Sequence, residues 1–114
     1  MDIIEKVQFW AKNPCFDAET QAEAKNLLAA ENKKAREECF GSLLEFGTGG
    51  LRGIMGVGTN RINRYTVQMA TEGVARIIKN KKNESSAKGV VVGYDSRHFS
   101  FEFAKVTSEV LAAH

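Results

Sequence analysis

Residues 45–61, EFGTGGLRGIMGVGTNR, hold six of the chain's ten glycines and set a single arginine, Arg52, among them. Glycine inside a helix or strand costs roughly 0.5–1 kcal/mol relative to alanine. A stretch this rich in it cannot be the interior of a regular element, so it needs a backbone reason or a ligand. Two readings stay open on the residues alone. In the first, the glycines supply turn conformations and Arg52 lies solvated outside. In the second, the glycines strip side chains from the wall of a cleft. Backbone N–H groups and the Thr48 hydroxyl then reach an anion there, and Arg52 offers a two-pronged fork to phosphate oxygens.

The familiar nucleotide motifs fail on position. A dinucleotide fingerprint begun at Gly47 and Gly49 requires glycine at position 52, which is Arg52. A Walker A loop on Gly53 and Gly58 requires lysine where Thr59 stands.

Helical spacing precedes the glycine segment. Ile3, Val7 and Trp10, with Ile4 beside them, lie on one face, and Pro14 breaks the run. A second helix is expected from Asp17, a good N-cap, through residues 18–34, with Leu27 and Leu28 on its apolar side. A shorter one, KKAREECF, stops at Gly41. LLEF, residues 43–46, reads as a strand leading into the glycines. Val67, Ala70, Val74, Ile77 and Ile78 recur at three- and four-residue steps, which predicts a long helix begun by Asn63. Residues 81–88 read as a polar loop. GVVVGYD, residues 89–95, reads as a buried parallel strand, and Ser100 as the N-cap of a last helix. Strand, helix, strand, helix after residue 45 is the α/β pattern, with the long helix as the crossover. Ligands gather at the carboxyl ends of such strands, where Asp95, Ser96 and Arg97 stand; a turn residue and a surface ion pair are the plainer readings of these three.

Composition excludes more than it assigns. A net charge of +2 is too small to argue for nucleic acid or membrane, and no apolar run approaches a membrane span. The amino terminus lacks a secretion signal, so the cytoplasm is expected. Cys15 and Cys39 have no metal or disulfide spacing and read as reduced thiols; His98 and His114 are no better placed as ligands or bases. The last helix carries no stop signal and a two-strand sheet exposes both edges, so the chain is expected to be cut from a longer one. Self-association through that edge is a further expectation.

The segments FGTGGLRGIMGVGTNRINRYTVQMATEGVARII and VVVGYDSRHFSFEFAKVTSEVLAA together resemble the start of α-D-phosphohexomutases, within them the phosphoglucomutase/phosphomannomutase group with its phosphopentomutase-like members. The resemblance runs from about residue 40 to the end. It implies residues 1–45 as a helical extension and 46–114 as the amino-terminal part of an α/β first domain with an incomplete mixed or parallel sheet. In that family, four domains surround a cleft. A phosphoserine moves phosphate between C1 and C6 of a sugar monophosphate through a hexose 1,6-bisphosphate, and Mg²⁺ is held by the phosphoserine and an aspartate-rich loop. Thr48, Gly49 and Arg52 match the family's phosphosugar-facing segment, and Arg97 a turn near the serine loop. The Thr-Ala-Ser-His-Asn-Pro motif and the metal loop do not occur in these residues, which implies no catalytic residue and no metal ligand here, and no turnover by this chain alone. Two other functions remain: a stand-alone phosphosugar- or anion-binding module, and a fragment that interacts through its strand edge.

Overall fold

The computed structural model describes residues 1–47, 50–51, 53–80, 89–94 and 99–114. They form two compact units, Met1–Asn63 and Arg64–His114.

The first unit begins with helix α1, Ile3–Lys12, capped by Asp2, whose Oδ1 accepts the Glu5 N–H at 2.8 Å. Helix α2, Ala18–Asn26, is capped by Asp17 as expected. The Asp17 carboxylate accepts the Thr20 N–H at 3.2 Å and the Thr20 hydroxyl at 2.6 Å. α2 ends well short of the predicted boundary. Past it, a short 3₁₀ turn, Ala30–Asn32, leads into helix α3, Lys33–Phe40. The reason is a long-range bond that local propensity cannot anticipate. Arg36, itself buried, donates from Nη1 to the carbonyls of Leu27 at 2.8 Å and Ala29 at 2.7 Å. Those carbonyls are thereby committed to α3, and the arginine satisfies groups that a helix end leaves without partners. α3 stops at Gly41, whose N–H bonds the Glu37 carbonyl at 2.8 Å.

The core of this unit is aromatic. Val7, Trp10 and Ala11 of α1, with Phe16, Ala24 and Phe40, are buried. Trp10 stacks on Phe16 with ring centroids 4.5 Å apart and meets Phe40 edge-on at 5.4 Å. Each such ring contributes about 1.5–3 kcal/mol by leaving water, and these contacts fix α1 against α3.

After α3 the backbone forms a hairpin of two very short strands, β1 (Phe46–Gly47) and β2 (Gly50–Leu51). They are antiparallel, with Phe46 opposite Leu51 and Gly47 opposite Gly50. The strand predicted over 43–46 is therefore reduced to its last residue plus Gly47. Its partner is its own neighbour across residues 48–49 rather than a distant parallel strand.

The second unit pairs helix α4, Arg64–Asn80, with helix α5, Ser100–Ala112. α4 has the predicted extent, but its covered side is turned from the predicted stripe. Thr66, Thr71 and Ala75 are buried, while Val74 and Ile77 are 42% and 57% exposed. Periodicity finds the most apolar arc of a helix; which arc is covered depends on where its partner lies. Thr71 tolerates burial because its hydroxyl donates to the Val67 carbonyl one turn back, at 2.8 Å. α5 begins one residue earlier than its predicted cap implies. Phe99, in the left-handed region at φ 65°, holds the cap position, and Ser100 is the first helical residue.

The predicted buried strand is the main correction. Residues 89–94 join no ladder with the described residues, and Val91 is 97% exposed. β structure is stable only as a hydrogen-bonded ladder, and β1 and β2 are paired with each other. Among the described residues the expected strand–helix–strand–helix order is thus hairpin, helix, a segment outside any ladder, helix. Gly89, Val90 and Val92 instead line a cavity of about 370 Å³ against Ala75 and Ile78 of α4 and Leu111 of α5.

A polar clasp joins the two helices of this unit. His114 Nε2 lies 2.7 Å from Glu72 Oε2, and Arg76 Nε donates to Glu72 Oε1 at 3.3 Å. The His114 hydrogen bond first, then Arg76, holds the Glu72 carboxyl below its ordinary value of 4.5. A carboxyl depressed in the folded state adds stability that is complete above its unfolded pKa and is lost as pH falls through the folded one. Glu72→Gln is therefore expected to cost thermal stability near neutral pH, by an amount that shrinks as pH falls below 4.5. Melting curves of both chains across the acid range test this, and a difference independent of pH counts against it.

Candidate functional site

Past Gly53 the glycine-rich segment is a built loop rather than a loose connection. Residues 54–63 fold back on themselves. Ile62 N–H donates to the Ile54 carbonyl at 2.8 Å, Gly56 N–H to the Ile62 carbonyl at 3.1 Å, and Met55 and Ile62 form a parallel bridge. Asn63 Nδ2 donates to the carbonyls of Gly56 and Gly58, at 2.8 and 2.9 Å. The returning arm then docks on the carboxyl end of α3. Asn60 N–H donates to the Cys39 carbonyl at 2.9 Å, and Asn60 Nδ2 and Arg61 Nη1 both reach the Glu38 carbonyl at 3.2 Å. The last carbonyls of a helix lack intrahelical donors and carry the negative end of its dipole. A cationic side chain and an amide are well matched to them.

Gly58 makes this docking sterically possible. Its φ is +125°, and a Cβ there would abut the Cys39 carbonyl oxygen and lie 2.8 Å from the carbonyl carbon. Only glycine combines that conformation with so close an approach of two backbones. At this position the glycine has a structural reason.

The loop also closes on the segment before the hairpin. Leu44 N–H donates to the Thr59 carbonyl at 2.9 Å, and the Thr59 hydroxyl donates to the Ser42 carbonyl at 2.8 Å. Gly53 sits against Leu44, where a Cβ would come within 2.7 Å of Leu44 Cδ1. Both flanks of the stretch that bears Thr48, Gly49 and Arg52 are therefore anchored to one scaffold. Those three residues, and Asp95, Ser96, Arg97 and His98, lie outside the described residues. Asn63, expected to begin α4, directly precedes Arg64 and in addition ties Gly56 and Gly58; what the sequence reading missed are the anchors Thr59, Asn60 and Arg61. Their signal was present as a run of turn-forming Thr and Asn side chains directly after Gly58.

Cys15 and Cys39 are free thiols. Among the described residues no group of three or more His, Cys, Asp or Glu side chains could hold a metal ion. The Mg²⁺ implied by the resemblance thus finds no ligand set there, and no step is assigned through it. No described helix is long and apolar enough to cross a membrane.

The described elements are mostly helical, and the first unit carries an anchored turn over residues 54–63. Residues 43–114 match the family described as phosphoglucomutase/phosphomannomutase, alpha/beta/alpha domain I. The chain is 38% identical over 88 residues to the phosphopentomutase of Mus musculus, a match covering 77% of this chain and 14% of that protein. It is 41% identical over 78 residues to the phosphoglucomutase of Staphylococcus haemolyticus, covering 68% and 14%. Against the phosphoglucomutase of Staphylococcus aureus the identity is 37% over 90 residues, covering 79% and 16%. No solved structure matches. The chain belongs to the phosphoglucomutase/phosphomannomutase family of mutases, and it spans 14–16% of the length of these relatives.

Proposed function

We propose that this chain supplies the phosphosugar-facing part of a phosphohexomutase first domain, residues 46–114, with residues 1–45 as its helical extension. Thr48, Gly49 and Arg52 bind the phosphate of a sugar monophosphate, and Arg97 assists from the turn after the apolar segment. The whole enzyme moves phosphate between C1 and C6 through a phosphoserine and a bisphosphate, in the cytoplasm. Phosphoryl transfer asks a protein mainly for positioning and for neutralisation of spreading charge. A guanidinium fork beside a wall of glycine backbone suits both demands, since it meets two phosphate oxygens at once and lets amide groups approach. The names of the relatives leave hexose and pentose phosphates both open, with glucose phosphates the first to test.

The observation that carries this reading is the GTGGLRG segment, residues 47–53, set on a hairpin whose flanks are bonded to each other and to α3. Neither the serine motif nor the metal loop implied by the resemblance occurs among the 114 residues. The chain alone is therefore read as unable to turn a sugar phosphate over, and binding by it without turnover is the alternative reading, a stand-alone phosphosugar-binding module. Titration of the purified chain with glucose 6-phosphate is expected to show binding that Arg52→Ala weakens by at least about ten-fold. That factor is the scale of a charge-assisted hydrogen-bond pair. Arg52→Lys, which keeps charge but not the fork, is expected to fall between the two. Equal affinity of Arg52→Ala and the wild type removes Arg52 from the site. Measurable conversion of glucose 1-phosphate by this chain overturns the assignment of binding without turnover.

A further inference from the structure

We infer that the cavity between α4, α5 and residues 89–92 is a binding site for a small amphipathic anion, an apolar ring system bearing one carboxylate. All the residues that line it belong to the second unit, and the inference does not depend on the phosphosugar reading of residues 47–53.

The wall follows from the sequence. Val90 and Val92 line the cavity while Val91, between them, is 97% exposed, the alternation of an extended segment with one face turned inward. That gives a segment of strand composition a packing role outside any ladder formed by the described residues. Ile78 of α4 and Leu111 of α5 add to the apolar lining. The space is about 370 Å³, within the range of ligand pockets. An apolar cavity of about 150 Å³ takes benzene, so this one has room for a second ring.

The polar groups on the wall select the charge. They are the side chains of Lys79, Ser108 and His114, and none of the lining residues is acidic. Two of the three are committed elsewhere. The Ser108 hydroxyl donates to the Ala104 carbonyl at 2.9 Å, and His114 Nε2 lies 2.7 Å from Glu72 Oε2. The Glu72 carboxylate is held in turn by Arg76, whose Nε donates to Oε1 at 3.3 Å. Lys79 has no hydrogen-bond or ion-pair partner among the described residues, so its ammonium is the charge left to a ligand. A cation beside an apolar wall favours an anion over a neutral molecule of the same shape. Lys79 is exposed, so a carboxylate that meets it keeps one side in water while the rings leave it, and no charge is buried without a partner.

Naphthoate, read by its own fluorescence against the full 114-residue chain, tests this, with naphthalenemethanol as the neutral counterpart. Binding is expected to move the backbone amide resonances of Val90, Val92 and Leu111 and to leave those of α1, α2 and α3 in place. Naphthoate is expected to bind roughly two- to five-fold tighter than the alcohol, the scale of an ion pair open to water on one side. Lys79→Met keeps the apolar stem and removes the charge. It is expected to erase that preference while the alcohol binds as before and the melting curve stays nearly unchanged, as for a surface substitution. If neither compound binds, or if the resonances that move lie outside the second unit, the site is refuted. Equal binding of the two compounds by the wild type overturns the anion assignment. A preference for naphthoate that survives in Lys79→Met overturns Lys79 as the group that selects the charge.

Discussion

Gly58→Ala lowers the urea midpoint of the chain by the equivalent of about 2–4 kcal/mol, the largest effect expected of any single-carbon addition to the loop. Two costs combine. A non-glycine residue held at φ +125° stores strain of roughly 1–3 kcal/mol, and the new methyl group cannot coexist with the Cys39 carbonyl in its present place. Relief requires the loop to lift from α3. That movement breaks the Asn60 N–H bond to Cys39 and strains the Leu44–Thr59 bond beside it. The lifted carbonyl regains water, so the penalty stays at a few kcal/mol rather than that of a buried unsatisfied group. Gly73 is the matched control. It lies inside α4, and a methyl group there would have nothing within 4 Å, so alanine is expected to stabilise by roughly 0.5–1 kcal/mol. Denaturation followed by far-ultraviolet circular dichroism reads both changes. A Gly58→Ala midpoint indistinguishable from the wild type shows that the loop does not need this close approach.

Where the sequence spoke locally, the structure agrees with it. Asp17 caps α2, Gly41 ends α3, and α4 occupies the predicted residues, because caps, stops and long amphipathic periods act within a few residues of the groups they satisfy. Errors occur where the deciding partner is remote. α2 stops at Asn26 while Arg36 takes the carbonyls beyond it. GVVVGYD has strand composition, yet residues 89–94 find no ladder among the described residues. The candidate site divides the same way. Arg52 among glycines carried two readings from residue type alone, a solvated turn and an anion-binding wall, and Arg52 itself lies outside the described residues. The anchoring of Thr59 to Ser42 and of Gly58 to Cys39 was not legible, since nothing in a glycine or a threonine names the carbonyl it will meet across a turn.

Phe40→Ala is expected to unfold the first unit. Phe40 is fully buried, and its ring meets Trp10 edge-on at 5.4 Å, so truncation removes this aromatic contact of α3 with α1 and leaves a cavity. Changes of this kind cost about 3–5 kcal/mol. A unit of 63 residues has a total stability of only about 3–9 kcal/mol at ordinary values per residue, so the loss approaches the whole. Phe40→Leu, which refills much of the space, is expected to cost about 1–2 kcal/mol and to stay folded. The chain's only tryptophan is Trp10, so its emission reports this core directly and is expected to shift to the red in Phe40→Ala without denaturant. The consequence reaches the glycine-rich loop through the backbone. Phe40 adjoins Cys39, whose carbonyl seats Asn60 and so the returning arm of the glycine loop. Any glucose 6-phosphate binding should therefore vanish together with the tryptophan transition in Phe40→Ala. A Phe40→Ala chain that keeps native emission and native binding shows that α3 is not the platform on which the site is built.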